Sequence, residues 1–169
     1  GGTGKSFSLG ANITAGSVSI EALITLSSPV TIDTSASSGI INLYAVDANG
    51  NNMTLNAGTA DLISGSISDA LSLAITSTTA KFSGADYSAS KSVNIVGNLS
   101  LVGSAPISIR SGTNLIIVGD IDDTTSKDSA LTLSSSNGTI QISGSIGAGN
   151  SLASLDVSAN SILVTGDIG

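Results

Sequence analysis

The first six residues, GGTGKS (1–6), match the last part of a phosphate-binding P-loop. That motif needs the pattern G-x-x-x-x-G-K-[ST], with a strand before it and a helix after it, so that backbone N–H groups cradle the phosphates. If Gly4-Lys5-Ser6 ended the motif, its first glycine would fall before residue 1. The following FSLGANITAGSVSI alternates like a strand. We therefore expect a flexible lead-in rather than a nucleotide site.

Two acidic segments have the residue types of a calcium loop, which uses oxygen ligands at alternate positions. The first, DANGN (47–51), begins like an EF-hand loop, but Asn52 replaces the glycine at position six and Gly58 replaces the glutamate at position twelve. The second groups Asp120, Asp122 and Asp123 after Gly119, with Asp128 beyond. The alternative for both is a solvated turn, since Asp, Asn and Gly dominate turns. The second segment is the better candidate for calcium, and we expect no other cofactor.

The composition excludes several kinds of chemistry. The 169 residues contain no Cys, His or Trp, which removes disulfides, thiolate metal sites and the commonest general base. Eleven Asp and one Glu oppose four Lys and one Arg, so the net charge is −7. An acidic chain does not release counterions from phosphates, and we expect no nucleic-acid partner. No apolar run reaches the roughly 18 residues of a membrane span, and we expect no membrane insertion in this segment.

The elements are strands that recur at a regular spacing. Apolar and polar residues alternate, as in Val18-Ser19-Ile20 and Leu131-Thr132-Leu133, which predicts strands with one buried face. Five windows share an apolar residue at position five, Gly at position seven and Ile or Leu at position nine. They are TADLISGSI (59–67), KSVNIVGNL (91–99), TNLIIVGDI (113–121), GTIQISGSI (138–146) and NSILVTGDI (160–168).

These windows predict an all-β fold, a right-handed parallel β-helix (β-solenoid) of about seven coils. We expect a corner glycine in each window, at Gly65, Gly97, Gly119, Gly144 and Gly166. The inward ladder is expected to include Ile63, Ile95, Ile117, Ile142 and Val164. Residues 1–169 are expected to form a single solenoid segment, with 1–15 as a flexible lead-in or an irregular first coil. An antiparallel sandwich is the alternative; such domains usually carry a buried Trp or Tyr and have turn signals about every 8–12 residues. This chain has no Trp, only two Tyr, and a repeat at coil length.

The glycine-marked strands and loops rich in Ser, Thr, Asn and Gly resemble the repetitive part of filamentous-haemagglutinin-type adhesins and autotransporter passenger domains. Residues 131–169 carry this resemblance best, and 59–169 carry it more loosely. The resemblance implies secretion from a bacterium, a rigid β-helical rod at the cell surface, and a role in adhesion or surface structure. It also implies that the chain is a segment of a longer repeat protein, with neighbouring repeats or a host receptor as partner.

Two other functions remain open from the sequence. The coils of one chain could stack head to tail on another copy and form an extracellular filament. A β-helical polysaccharide lyase or hydrolase would need paired carboxylates, or carboxylates with Arg or Lys, and aromatic platforms for sugar. Arg110 is the only arginine, and only 2% of the residues are aromatic. We therefore expect a structural protein rather than an enzyme.

Overall fold

In the computed structural model, which describes residues 5–125 and 127–169, the chain is a parallel β-solenoid of about seven turns. Strands make up 57% of it, and the described residues contain no α-helix, only a short 3-10 helix at Ser35–Ser37. The strands are β1 (Ser6–Leu9), β2 (Ile13–Thr14), β3 (Val18–Leu26), β4 (Val30–Asp33), β5 (Ile41–Asp47), β6 (Met53–Asn56), β7 (Leu62–Ser64), β8 (Ile67–Ala70), β9 (Leu73–Phe82), β10 (Asp86–Ala89), β11 (Val93–Leu101), β12 (Ile107–Ser111), β13 (Leu115–Val118), β14 (Ile121–Asp123), β15 (Ala130–Ser135), β16 (Thr139–Ile142), β17 (Ser154–Ser158) and β18 (Ser161–Val164).

The strands pair across three faces of the solenoid, and every strand pairing is parallel. Face A consists of β2, β4, β6, the first halves of β9 and β11, then β13, β16 and β18. Face B consists of the first halves of β3 and β5, then β7, the second halves of β9 and β11, and β14. Face C consists of β1, the second halves of β3 and β5, then β8, β10, β12, β15 and β17. Parallel pairing throughout excludes the antiparallel sandwich.

Inward side chains of successive coils stack in ladders, because residues in register lie one above the other. The face A ladder is Ile13, Ile32, Leu55, Ile75, Ile95, Ile117, Ile142 and Val164. The face B ladder is Val18, Ile41, Leu62, Ala80, Leu99, Ile121, Ile146 and Ile168. The face C ladder is Phe7, Ile24, Val46, Ile67, Tyr87, Ile109, Leu133 and Val157. Most of these residues are fully buried and form one continuous core.

The prediction for one ladder residue, Ile63, is wrong. Ile63 does not point inward: it is half-buried on the outer surface of face B, while its neighbours Leu62 and Ser64 are buried. Leu62 is in register with Ala80, and Ala80 with Leu99, so the window 59–67 is shifted against the four later windows. Because strand side chains alternate, this shift exchanges the inward and outward residues.

The corner glycines belong to two different corners. Gly97, Gly119, Gly144 and Gly166 stack at the corner between faces A and B, where a Cβ on Gly144 would lie 2.2 Å from the carbonyl oxygen of Gly119. Gly65 lies at the corner between faces B and C. Among these five residues only Gly97 and Gly119 have positive φ, so what all five share is the close approach of the preceding coil.

The core also holds one aromatic pair, which fills one layer of an otherwise aliphatic interior. Phe82 and Tyr87 stack nearly parallel, with ring centroids 3.7 Å apart. The Tyr87 hydroxyl donates to the carbonyl oxygen of Ser64 in the previous coil at 2.7 Å and accepts from the amide of Gly84 at 3.1 Å. Burial raises the pKa of the Tyr87 phenol. The ring therefore joins two coils through a polar contact inside the core.

Candidate functional site

The P-loop-like hexapeptide lies mostly outside the described residues, since the structure describes the chain from Lys5 onward. The carbonyl oxygen of Lys5 accepts a hydrogen bond from the amide of Leu23, and Ser6 begins β1. A strand therefore follows Lys5 where a P-loop would require a helix. β1 and β2 already pair with β3 and β4, so residues 6–14 form part of the first coil.

The second acidic segment is drawn into the stacking of the coils. The carboxylate of Asp120 is exposed and accepts a hydrogen bond from the amide of Ser145 at 2.8 Å. Asp122 faces outward on β14, and its carboxylate accepts from the amides of Gly149 and Asn150 at 2.9 and 3.2 Å. Both side chains thus hold backbone of the next coil, Asp120 at the A–B corner and Asp122 at the loop between β16 and β17.

Asp123 points the other way, into the core, and is only 2% exposed. It is in register with the buried Leu101 of the coil before. Its carboxylate accepts hydrogen bonds from the amides of Thr125, Asp128 and Ser129 and from the Ser129 hydroxyl, at 2.6 to 3.3 Å. Burial alone would raise the pKa of this carboxyl, but these hydrogen bonds hold the pKa of Asp123 below its usual value. Asp123 therefore fixes the path of the loop after β14.

Strand alternation separates the three predicted calcium ligands, since Asp123 faces the core while Asp122 faces outward. Among residues 5–125 and 127–169, no group of three acidic side chains is close enough to hold a metal ion. A calcium ion at Asp120, Asp122 and Asp123 stays a prediction that rests on the sequence.

The first acidic segment forms a tight turn at a corner. Asn49 and Gly50 both have positive φ, and the Asp47 carboxylate accepts from the amide of Asn49 at 3.0 Å. The side-chain amides of Asn49 and Asn51 donate to the carbonyl oxygen of Leu26 in the preceding coil. The polar side chains of this turn thus bond to neighbouring backbone. The segment is a turn at a corner of the solenoid, as the solvated-turn alternative predicts.

Two hollows lie side by side on the outside of the solenoid, on face B of the N-terminal coils. One, of about 430 Å³, is lined by Tyr44, Ile63 and Gly65 among others; its neighbour, of about 460 Å³, is lined by Ile40 and Gly39 among others. Asn42 and Ile63 line both hollows. No charged residue is among the described residues that line them.

A third hollow, of about 340 Å³, lies on face C and contains the only arginine. Arg110 donates to the carboxylate of Asp86 at 2.6 Å, and Asp69, whose φ is +55°, lies at the same hollow. The second ion pair of the described residues joins Lys81 to Asp61 at 2.7 Å, beside the face B hollows. Each basic side chain here is already neutralised by an acidic one, and both pairs are solvent-accessible, so they contribute little to stability.

The sequence reasoning missed the face B hollows, although the signal was present. Ile40, Asn42 and Tyr44 alternate with buried residues, so all three side chains point outward. Tyr44 is 58% exposed and Ile40 is 47% exposed in a chain with only four aromatic residues. The alternation predicts this face, but the hollows also depend on which residues of the next coil lie beside it.

Comparisons with family models, with curated proteins and with solved structures found no match to this chain. Within the described part of the chain, no helix is long and apolar enough to cross a membrane.

Proposed function

We propose that this chain is a stiff structural and adhesive rod segment of an extracellular bacterial surface or secreted protein. The observation that carries the proposal is the three-sided solenoid, in which one parallel sheet, of 18 strands in the described residues, surrounds an aliphatic core. Each coil contacts only its neighbours, so the length of such a rod follows from the number of coils. At about 4.8 Å per coil, about seven turns give a rod of roughly 35 Å.

The surface fits an extended structural element better than a catalytic one. Outward positions are mainly occupied by hydroxyl and amide side chains. In the described residues, Lys81 and Arg110 each form an ion pair with a neighbouring aspartate. The glycine stack at the A–B corner lets successive coils approach closely, and the stacked ladders form one continuous buried core. The proposal includes no catalytic step.

Antibody labelling of the bacterium that produces the protein tests the location. Antibodies raised against the purified chain should label intact cells, or the protein should be recovered from the culture medium. Labelling that appears only after the cells are permeabilised would contradict the proposal. For adhesion, beads coated with the folded chain should bind host cells or matrix more than beads coated with heat-unfolded chain, and equal binding would remove the adhesive part.

A second candidate is a filament in which copies stack end to end, since successive coils already pair in parallel along the described chain. At one end Ile162 and Ile168 are 48% and 63% exposed, and at the other end Phe7 is 40% exposed. A second copy stacked there would bury these residues. Concentrated protein should then form fibres in negative-stain microscopy, and Ile162→Asp should abolish them while the outward control Val118→Asp should not. A chain that stays monomeric in light scattering at high concentration would exclude this candidate.

A further inference from the structure

We propose that the two adjoining hollows on face B bind a short, uncharged oligosaccharide, with Tyr44 as the stacking platform. This inference goes beyond the rod function and does not depend on it. The two hollows form one groove, which is defined here by Ile40, Asn42, Tyr44 and Ile63.

Tyr44 provides the surface that a sugar ring needs. A sugar presents a face of C–H groups that packs on an aromatic ring, and its hydroxyls bond to amides and hydroxyls at the edge. Tyrosine suits such a ligand, because its ring is apolar and its hydroxyl is polar. Of the other three aromatic residues, Phe82 and Tyr87 are fully buried in the core, and Phe7 lies in the face C ladder of the first coil. Tyr44 is instead 58% exposed at the rim of a hollow.

Glycines at the neighbouring corners let the coils beside the hollows approach each other closely. A Cβ on Gly65 would lie 1.7 Å from the carbonyl oxygen of Tyr44, and a Cβ on Gly39 would lie 1.5 Å from the carbonyl oxygen of Gly16. The backbone of adjacent coils is therefore in close contact next to Ile40 and Tyr44. The recesses follow from the stacking of the coils and are present without a ligand.

Asn42 places a hydrogen-bonding group between the two hollows. It is half-buried, in register with Ser19 on one side and Ile63 on the other, and its side-chain amide donates to the Ser19 hydroxyl at 3.5 Å, the long limit of a hydrogen bond. A ligand hydroxyl that took the place of Ser19 would give the Asn42 amide a shorter and stronger hydrogen bond. From Ile40 to Tyr44 the strand spans roughly 13 Å, which leaves room for more than one sugar ring.

The charges around the groove favour a neutral ligand. The chain carries a net charge of −7, which disfavours a polyanion such as a uronate polymer. The basic side chain of Lys81, which is in register with Ile63, is paired with Asp61 at 2.7 Å. The residues that line the groove are uncharged, so no group is left to recognise an ionic ligand. Pocket recognition then relies on one aromatic platform and a few polar groups.

Binding is tested with cellotetraose, maltotetraose, xylotetraose and chitotetraose as neutral probes and tetragalacturonate as the charged probe. The chain has no Trp and only two Tyr, so a change in tyrosine fluorescence on binding reports mainly on exposed Tyr44. Calorimetry gives the dissociation constant. We expect at least one neutral probe to bind with a Kd below about 1 mM, and chromatography to recover it uncleaved.

Matched variants locate the site. Tyr44→Ala should weaken binding at least tenfold, Tyr44→Phe should stay within about threefold because the ring remains, and Asn42→Ala should weaken it about fivefold. Val118→Ala, on exposed face A, should bind as the unchanged chain does. Circular dichroism confirms that each variant is folded.

Several results would overturn the proposal. One is that no neutral probe binds with a Kd below about 1 mM. Another is that Tyr44→Ala binds the probe as tightly as the unchanged chain does. A third is that tetragalacturonate binds more tightly than every neutral probe. A dimer in sedimentation that Tyr44→Ala abolishes would assign the groove to a second copy instead. The rod function is unaffected by any of these outcomes, since its test is the location of the protein.

Discussion

The register of the third coil is tested by truncating two neighbouring residues, Leu62 and Ile63. Leu62 is fully buried and in register with Ile41 and Ala80, so Leu62→Ala removes methyl groups from the centre of the face B ladder. Buried Leu→Ala changes cost about 2–5 kcal/mol, because the lost transfer energy adds to the cost of the cavity. Ile63 is half-buried on the outer surface, so Ile63→Ala should cost about 1 kcal/mol or less.

The assay is urea unfolding followed by far-ultraviolet circular dichroism. With an m-value of about 2 kcal/mol/M, a loss of about 3 kcal/mol from Leu62→Ala lowers the midpoint by about 1.5 M, and Ile63→Ala lowers it by about 0.5 M or less. Near-ultraviolet signal from the buried Phe82–Tyr87 pair gives a second probe of the same transition. Equal shifts, or a larger shift for Ile63→Ala, would refute the register and restore Ile63 to the inward ladder.

Three further changes test individual contacts. Asp123→Asn should destabilise the fold by about 2 kcal/mol at pH 7, because amides that bond to the carboxylate lose an acceptor. Because the pKa of Asp123 is lowered, the carboxylate stabilises the fold fully above about pH 4, and the difference in stability between the two chains should shrink as the pH falls below that value. A difference that does not change with pH would contradict this prediction. Gly119→Ala, whose Cβ would meet the preceding coil at 2.4 Å, should lower the melting temperature well beyond Gly103→Ala, where φ is also positive but the space is open; similar shifts would mean that φ alone matters. Tyr87→Phe should cost about 1–2 kcal/mol in chemical unfolding, because the amide of Gly84 loses its acceptor and the carbonyl oxygen of Ser64 loses one of its donors; a cost near zero would show that the hydroxyl contributes nothing.

The sequence predicted the fold class because the C-terminal coils repeat closely. Ile95, Ile117, Ile142 and Val164 occupy one ladder, with their window glycines stacked at one corner, so alignment by residue type reproduced the spatial register. The approximate number of coils followed from the spacing. The predicted architecture is confirmed as a parallel β-solenoid of about seven turns.

The alignment of window 59–67 with the later windows was wrong because its glycine lies at a different corner. Gly65 is a corner glycine, as the other four are, but it follows the face B strand instead of preceding it. The coil between 67 and 91 was also hidden, because β9 bends from face A to face B without a glycine and presents Ala80 in the ladder. Residue types alone do not distinguish two corners that have the same close approach.

The acidic segment shows the same limit at the level of a site. Proximity in sequence suggested a cluster of carboxylates, yet Asp122 and Asp123 alternate across β14 and accept hydrogen bonds from different loops. The exposed groove at Tyr44 was not predicted because its residues are distant in sequence but close in space. Its residues are Ile40, Asn42 and Ile63, which come from two coils and carry no motif.

Engineered disulfides test the parallel stacking of coils most directly, since the chain has no cysteine of its own. Asn94 and Ile116 are in register on the outside of face A, so their Cα atoms lie about 4.8 Å apart, within the range that a disulfide bridges. We predict that the Asn94→Cys/Ile116→Cys chain oxidises to an intramolecular disulfide, seen as a loss of two hydrogens by intact mass. The control Ala74→Cys/Ile116→Cys spans two coils, about 9.6 Å, and should stay reduced. A control pair that oxidises as readily as the in-register pair, or an in-register pair that stays reduced, would contradict the solenoid.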